Sequence, residues 1–513
     1  MLFNSYEFLL LYLPITAIGY FLLARMRHRA AAAWLALASV FFYGWWNSTY
    51  VLLLLGSILF NYLAGLAIIR TEGHVRKQVL SLAVAANLGL LGYYKYANFF
   101  VATAAGLFGT NSPALNIVLP LGISFFTFTQ IAYLVDVYRG IAKEANFIHY
   151  ALFVTYFPHL IAGPVLHHKE MMPQFADSAT YQARIDHFTV GLTLFFFGLA
   201  KKVILADGIA PYAADVFKAA HMGEAPLLFQ AWGAALAYTF QLYFDFSGYS
   251  DMAIGLSRIF GVKLPLNFDS PYKARNIIDF WRRWHMTLSR FLRDYLYVPL
   301  GGNRKGAARR HLNLMTTMLL GGLWHGAGWT FVVWGGLHGI YLVINHAWHW
   351  LKAGLGLAGK KETFLARLGG CALTFLAVVV GWVFFRAESL SAALTILAGM
   401  AGLNGVSLPA AIVAALPMLE PTLLQAGVQS TLGNGGQFVS TWLWIAALSC
   451  IAFLAPNTQQ IMRHHEPALE YVTENASRIF WQPSRAWMIG MAVIAVCGVI
   501  SLNRVSEFLY FQF

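Results

Sequence analysis

Two histidines stand inside otherwise apolar, glycine-rich sequence: His325 in LGGLWHGAG (320–328) and His338 in WGGLHG (334–339). An imidazole is the side chain best suited to move a proton near neutral pH, and an ionisable group within an apolar segment is a functional candidate by default. A ring packed between helices and bonded to a carbonyl suits the same residues equally. The flanking glycines allow close backbone approach, which serves a substrate or a neighbouring helix.

A second constellation is FWRRWHMTLSRFL (280–292). At 3.6 residues per turn, Trp281, Trp284, His285 and Leu288 share one face while Arg282, Arg283 and Arg290 lie towards another. This spacing predicts one amphipathic helix on or in the cytoplasmic interface. Its arginines suit lipid headgroups or a bound anion. The following turn, PLGGNRKG (299–306), adds exposed backbone N–H groups beside Asn303 and Arg304; with Arg282 and Arg283 these could hold a polyphosphate. A third stretch, YTFQLYFDFSGYSDM (238–252), sets Asp245 and Asp251 among hydroxyls. Those acids orient a catalytic histidine or cap a following helix at Ser247 or Ser250, and capping is the commoner role.

These residues need elements that the composition already restricts. The chain has 513 residues, of which 58% are hydrophobic and 11% charged. Soluble domains carry about 25% charged residues, and this chain could not cover a water-facing surface with polar groups. Disorder, collagen and disulfide scaffolds are excluded; the class is an all-α polytopic membrane protein. The formal charge is +13, which positive-inside loops explain in general. Its distribution says more, because residues 261–312 hold eleven basic residues against three acids, +8 of the total. The three cysteines lie in separate apolar runs without metal-ligand spacing. No P-loop, zinc-finger spacing or G-x-S-x-G elbow occurs, so no metal site is expected and a soluble-enzyme mechanism is not on offer.

Apolar runs of spanning length, about 17–25 residues, begin at 6–23, whose cations follow it and place the N-terminus outside. About twelve membrane segments are expected, with both termini outside. Proline and glycine break 148–165, which suits a re-entrant or buried segment. The run 312–346 is short for two full crossings with a turn. Residues 404–440 read as an outer-side loop and 441–513 as C-terminal segments. The whole of 1–513 is read as one integral-membrane domain.

The chain resembles the bacterial branch of the membrane-bound O-acyltransferases (MBOAT), of the alginate O-acetylation type. The matching strings are LGYYKYANFF (91–100), LPLGISFFTFTQIAYLVDVYRG (119–140), FPHLIAGPVL (157–166) and QLYFDFSGYSDMAIGL (241–256). They continue with FWRRWHMTLSRFLRDYLYVPLGGNRKG (280–306), GGLWHGAGWTFVVWGGLHG (321–339), GWVFFRAESL (381–390) and the ending FLYFQF (508–513). The family-like core covers about 90–390.

The resemblance implies a helical core around a through-membrane tunnel, with re-entrant or interfacial helices. It puts the catalytic histidine of the WHG motif on His325 and a second important histidine on His285, with Trp324, Asp245 and His338 in support. It implies acetyl-CoA as the donor substrate and no bound cofactor, which makes Arg282, Arg283, Asn303 and Arg304, read above as able to hold a polyphosphate, the candidate donor contacts. Tyr510 would receive or relay the acyl group. The expected setting is the bacterial inner membrane, with an extracytoplasmic SGNH-hydrolase-like acetyltransferase partner and an exported polysaccharide, and no nucleic acid. The residues alone also suit a transporter or flippase of an acylated intermediate, with its histidines as a proton relay.

Overall fold

The computed structural model describes the whole chain except residues 111–112, 114, 143–145, 358, 360–361, 432–434, 471–477, 504–508 and 510–513. The described residues are overwhelmingly helical. Five helical runs are long and apolar enough to cross a membrane: Thr49–Arg70, Ile185–His221, Phe364–Arg386, Gly435–Leu454 and Arg485–Asn503. Shorter apolar helices are Phe8–Ala24, Ile123–Tyr138 and Leu390–Met400. Helices also cover other expected crossings, including His28–Gly44, Gly73–Leu91, Leu228–Ile259, Gly306–His325 and Trp329–Gly354; these are too short, or too rich in polar groups, to qualify on the same grounds. Large apolar side chains such as Leu52, Leu107 and Leu373 point outwards from their helices, as a lipid-facing surface requires. The chain is an all-α membrane protein.

The chain forms two compact units. The first comprises Met1–Ala200, Gly248–Asn267 and Thr458–Asn503; the second includes Lys201–Ser247 and Phe268–Asn457.

In the first unit, the helices Ile185–Ala200 and Leu228–Ile259 approach at paired glycines. A Cβ on Gly191 would lie 2.6 Å from the carbonyl of Gly255, and one on Gly198 would lie 2.5 Å from that of Gly248. Small residues at such spacing let helices pack backbone to backbone where burial of apolar surface no longer drives association. The interrupted segment 148–165 is buried. Helix Phe147–Thr155 ends at Tyr156, the short helix Phe157–Leu160 follows, and every residue from 152 to 168 is buried. Its polar groups find internal partners: Tyr156 Oη lies 2.9 Å from Ser257 Oγ, and His159 Nε2 lies 2.9 Å from the Phe153 carbonyl. That satisfaction is what allows irregular backbone away from water.

In the second unit, a hairpin of Gly306–His325 and Trp329–Gly354 packs against Phe364–Arg386. The sequence made 312–346 look short for two crossings. The helices resolve this by extending outwards to residues 306 and 354, with only Gly326–Gly328 between them. Residues 404–440 are not all loop. Ser407–Pro409 pairs in parallel with Gln429–Thr431, short helices cover Ala410–Ala414 and Glu420–Gln425, and Gly435–Leu454 starts inside the segment. Cys450 and Cys497 are exposed on the outer faces of apolar helices, where a thiol is apolar enough to meet lipid.

Replacing Gly255 by leucine should lower the unfolding free energy by about 1–3 kcal/mol or more through overpacking. Gly89→Ala, in a helix with open space around that position, should be neutral or slightly stabilising. Thermal unfolding of the two variants in detergent compares them directly.

Candidate active site

The candidate site begins with a turn that ends a helix. His325 is the last residue of Gly306–His325; Gly326 and Gly328 then run extended, and Trp329 opens the next helix. The two helices meet directly beneath this turn. A Cβ on Gly322 would collide with the carbonyl of Phe331 and lie 3.1 Å from the Gly335 Cα, and one on Gly335 would collide with the carbonyl of Met318. The motif glycines are therefore required by the hairpin itself, and their close approach holds His325 beside Trp334.

Around His325 the walls are aromatic. Its ring lies 4.9 Å from Trp324, 5.1 Å from Trp334 and 5.2 Å from Phe385, each edge to face. Trp382 extends the box, stacked on Trp334 at 5.8 Å and 5.3 Å from Phe385. The His285 ring stands 6.3 Å from that of His325 and 6.3 Å from Trp324, and Phe246 packs edge-on against it at 4.8 Å. His325 is half-buried and His285 fully buried. Two histidines 40 positions apart in sequence thus come together among indole and phenyl rings.

The expected single amphipathic helix over 280–292 does not form. The helix Ile277–Trp281, capped by Asn276 through Asp279 N at 2.9 Å, ends at once. Met286–Leu292 starts afresh after His285, whose backbone is left-handed at φ 43°. The tertiary fold forces this break: Phe268 and Trp284 form an isolated antiparallel bridge, and Asp269 N donates to the Arg283 carbonyl at 3.0 Å. A left-handed residue other than glycine stores on the order of 1–3 kcal/mol of strain and clusters at functional sites. Helical periodicity cannot reveal such a break.

The predicted donor residues divide. Arg282, Asn303 and Arg304 are exposed, and Gly301, Gly302 and Gly306 all have positive φ in a tight turn, fastened by Asn313 Nδ2 donating to the Gly302 carbonyl at 2.9 Å. Arg283 is committed elsewhere, since Nε meets Asp279 Oδ1 at 2.8 Å and Nη1 lies 3.6 Å from Asp269 Oδ2. Asn457 holds the other Asp269 oxygen at 2.8 Å. These loops lie outside the spanning helices. There burial raises the Asp269 carboxyl above its ordinary range even with Arg283 beside it, and burial lowers the Lys273 ammonium. Desolvation thus outweighs attraction, so this network serves geometry more than stability.

His338 lies fully buried against Trp334, 4.9 Å from that ring and 5.1 Å from Trp281. Neither of its ring nitrogens has a hydrogen-bond partner among the described residues. Gly381 makes room for it, since a Cβ there would come within 3.1 Å of Nε2. Asp245 caps nothing, because Leu228–Ile259 runs unbroken through it and through Ser247 and Ser250. Its carboxylate meets Lys202 Nζ at 2.5 Å, and Lys202 also meets Asp207 at 2.7 Å, all three side chains being buried. Phe246, the next residue, is the one against His285. Tyr510 lies outside the described residues. Among those residues no three His, Cys, Asp or Glu side chains gather closely enough to share a metal ion.

Sequence reasoning did not single out Trp334, Trp382, Phe385, Phe246 or Lys202 as individual residues. Trp382 and Phe385 share a helical face at i, i+3 spacing, a readable signal. Lys202 follows a long apolar run and looks like an ordinary positive-inside flank.

The profile of the membrane-bound O-acyltransferase family (MBOAT) matches residues 117–352, a stretch holding both His285 and His325. The chain is 45% identical over 438 residues to the peptidoglycan O-acetyltransferase of Helicobacter pylori, covering 80% of this chain and 81% of that protein. It is 46% identical over 402 residues to a probable alginate O-acetylase AlgI of Pseudomonas putida, covering 77% and 79%. The probable AlgI of Azotobacter vinelandii is 40% identical over the full length of both chains. This chain belongs to the membrane-bound O-acyltransferase family, and it is an acyltransferase enzyme.

Lys202→Met leaves two buried carboxylates without their shared cation and should destabilise by about 3–5 kcal/mol. Unchanged melting of the purified variant would remove the ion pair from any role in the fold.

Proposed function

We propose that this protein takes acetyl groups from cytoplasmic acetyl-CoA and passes them across the bacterial inner membrane for O-acetylation of an exported polysaccharide. Alginate-like polymers, cellulose, peptidoglycan and other glycans are the candidate polymers. The meeting of His285 and His325 at 6.3 Å inside an aromatic box carries this reading. The acetylating relatives from Helicobacter pylori, Pseudomonas putida and Azotobacter vinelandii support it.

A thioester is already activated, so the protein has two tasks. His325 acts as general base and accepts the proton of the acceptor hydroxyl as its oxygen attacks the acetyl carbonyl carbon. The resulting oxyanion is stabilised by a donor from His285. Collapse breaks the carbon–sulfur bond, and the CoA thiolate takes the proton back from the His325 imidazolium. The position of His325 at a helix C-terminus suits this cycle, because the partial negative charge there favours the transient cation. The aromatic walls exclude water, which would otherwise intercept the acetyl group. Trp324 and His338 shape the pocket, and Asp245 anchors the helix that carries Phe246.

Arg282, Asn303 and Arg304, with the N–H groups of the glycine turn, receive the CoA phosphates on the cytoplasmic side, and Arg283 positions that strained turn. A tunnel through a bundle of about twelve segments would let the acetyl group cross while the polyanionic carrier stays behind. Tyr510 is proposed as acceptor or relay, handing the group to an extracytoplasmic SGNH-hydrolase-like acetyltransferase.

In membranes supplied with labelled acetyl-CoA, His325→Ala should lower acetyl transfer by about 10²–10⁴-fold while the protein still inserts and elutes as a folded species. Normal transfer by that variant would sink the role given to His325. Arg304→Gln should raise KM for acetyl-CoA with kcat little changed, and the defect should shrink at high salt, where surface charges are already screened. A fall in kcat alone would place Arg304 outside donor binding.

A further inference from the structure

The first unit holds a groove of about 580 Å³ between the helices Ile185–Ala200 and Arg485–Ile500, lined by none of the residues of the candidate active site. Much of its wall is apolar, with Leu192, Phe196, Met488, Met491 and Ala495 among the lining residues. Both helices belong to runs able to span a bilayer, and neighbouring side chains such as Val493 and Val496 are exposed, so the groove opens towards lipid. Its size falls within the range of small-molecule sites, about 300–1,000 Å³.

One end differs in chemistry. Gln482, Ser484 and Arg485 line the groove where its second helix begins, together with Trp481 and Trp487. Ser484 Oγ caps that helix by accepting from Trp487 N at 3.3 Å, and tryptophans of this kind sit at headgroup level. Further cations gather at the same end. Trp481 packs on His465 at 4.6 Å, and the adjacent Glu466 receives Lys263 Nζ at 3.0 Å. Lys263, Arg258 and Arg184 lie within electrostatic reach of His187, which directly precedes Phe188 in the wall. Arg184 pairs with Asp186 and Lys263 with Glu466, Arg258 lies within electrostatic reach of both acids, and Arg485 lines the groove itself.

We propose that this groove binds one anionic phospholipid, its acyl chain along the apolar wall and its phosphate against Arg485 and the first turn of the helix. The excess of cations selects an anionic over a zwitterionic headgroup, and the first-turn N–H groups favour a phosphate oxygen. Cations gathered at one membrane face mark the cytoplasmic side, where the headgroup of an inner-leaflet lipid lies.

Delipidated full-length protein in detergent, titrated with phosphatidylglycerol or phosphatidylcholine of identical chains and followed by native mass spectrometry, tests this without an activity assay. Wild type should retain phosphatidylglycerol more tightly. Arg485→Gln should weaken phosphatidylglycerol binding about fivefold, the equivalent of ~1 kcal/mol for one cation near the surface, and leave phosphatidylcholine unchanged. Ala495→Trp should fill the groove and reduce both. Equal binding of the two lipids by wild type, or an unchanged lipid ratio in the exposed and structurally mild Arg485→Gln, overturns the proposal. Unaltered binding in Ala495→Trp overturns it as well; should that variant fail to fold, Arg485→Gln still decides.

Discussion

The close approach of two helices at Gly322 and Gly335 is the constraint on which the site depends. With a side chain at either position, the backbone of the opposing helix would be displaced. The turn Gly326–Gly328 would then no longer hold His325 against Trp334. Where lipid surrounds the protein, burial of apolar surface cannot draw helices together, and backbone proximity through small residues takes over. The same device recurs in the first unit at Gly191 with Gly255 and at Gly198 with Gly248. Glycines in motifs of this kind are therefore structural before they are chemical.

Polar groups in this setting are held by specific partners. Lys202 joins Asp207 and Asp245, and the Arg283 turn is tied by Asp269, Asp279 and Asn457. Such networks contribute little net stability because desolvation offsets their attraction. They do fix position, and both lie next to elements that carry His285 or its packing partner Phe246. His285 itself occupies a left-handed backbone position, so the surrounding bridge and hydrogen bonds must over-determine it.

The legibility of these features in the sequence was uneven. The membrane class followed from the low charge, and the helical runs from apolar stretches of the right length. The broken segment at 148–165 was readable as buried because proline and glycine cannot continue a lipid-facing helix. The amphipathic helix over 280–292 was misread, because a periodic pattern persists in the residues even where a bridge to Phe268 interrupts the backbone. Capping at Asp245 was misread for a similar reason: a serine or aspartate inside a long helix looks like a cap until the continuity of the helix is seen. Lys202 was passed over because a lysine after an apolar run normally lies at the interface, and only packing buries it.

By itself the sequence determined composition-level facts: a helical membrane protein, a concentration of positive charge over 261–312, and motifs specific enough to imply a family of acyltransferases. These depend on residue type and local spacing, which are read along one chain. Only the tertiary structure decided that His285 meets His325, that His325 and His338 both pack against Trp334, and that Arg283 is engaged while Arg282 and Arg304 stay exposed. Those are relations between distant segments. They are set by which backbones can approach and which buried polar groups find partners, and no local pattern encodes either.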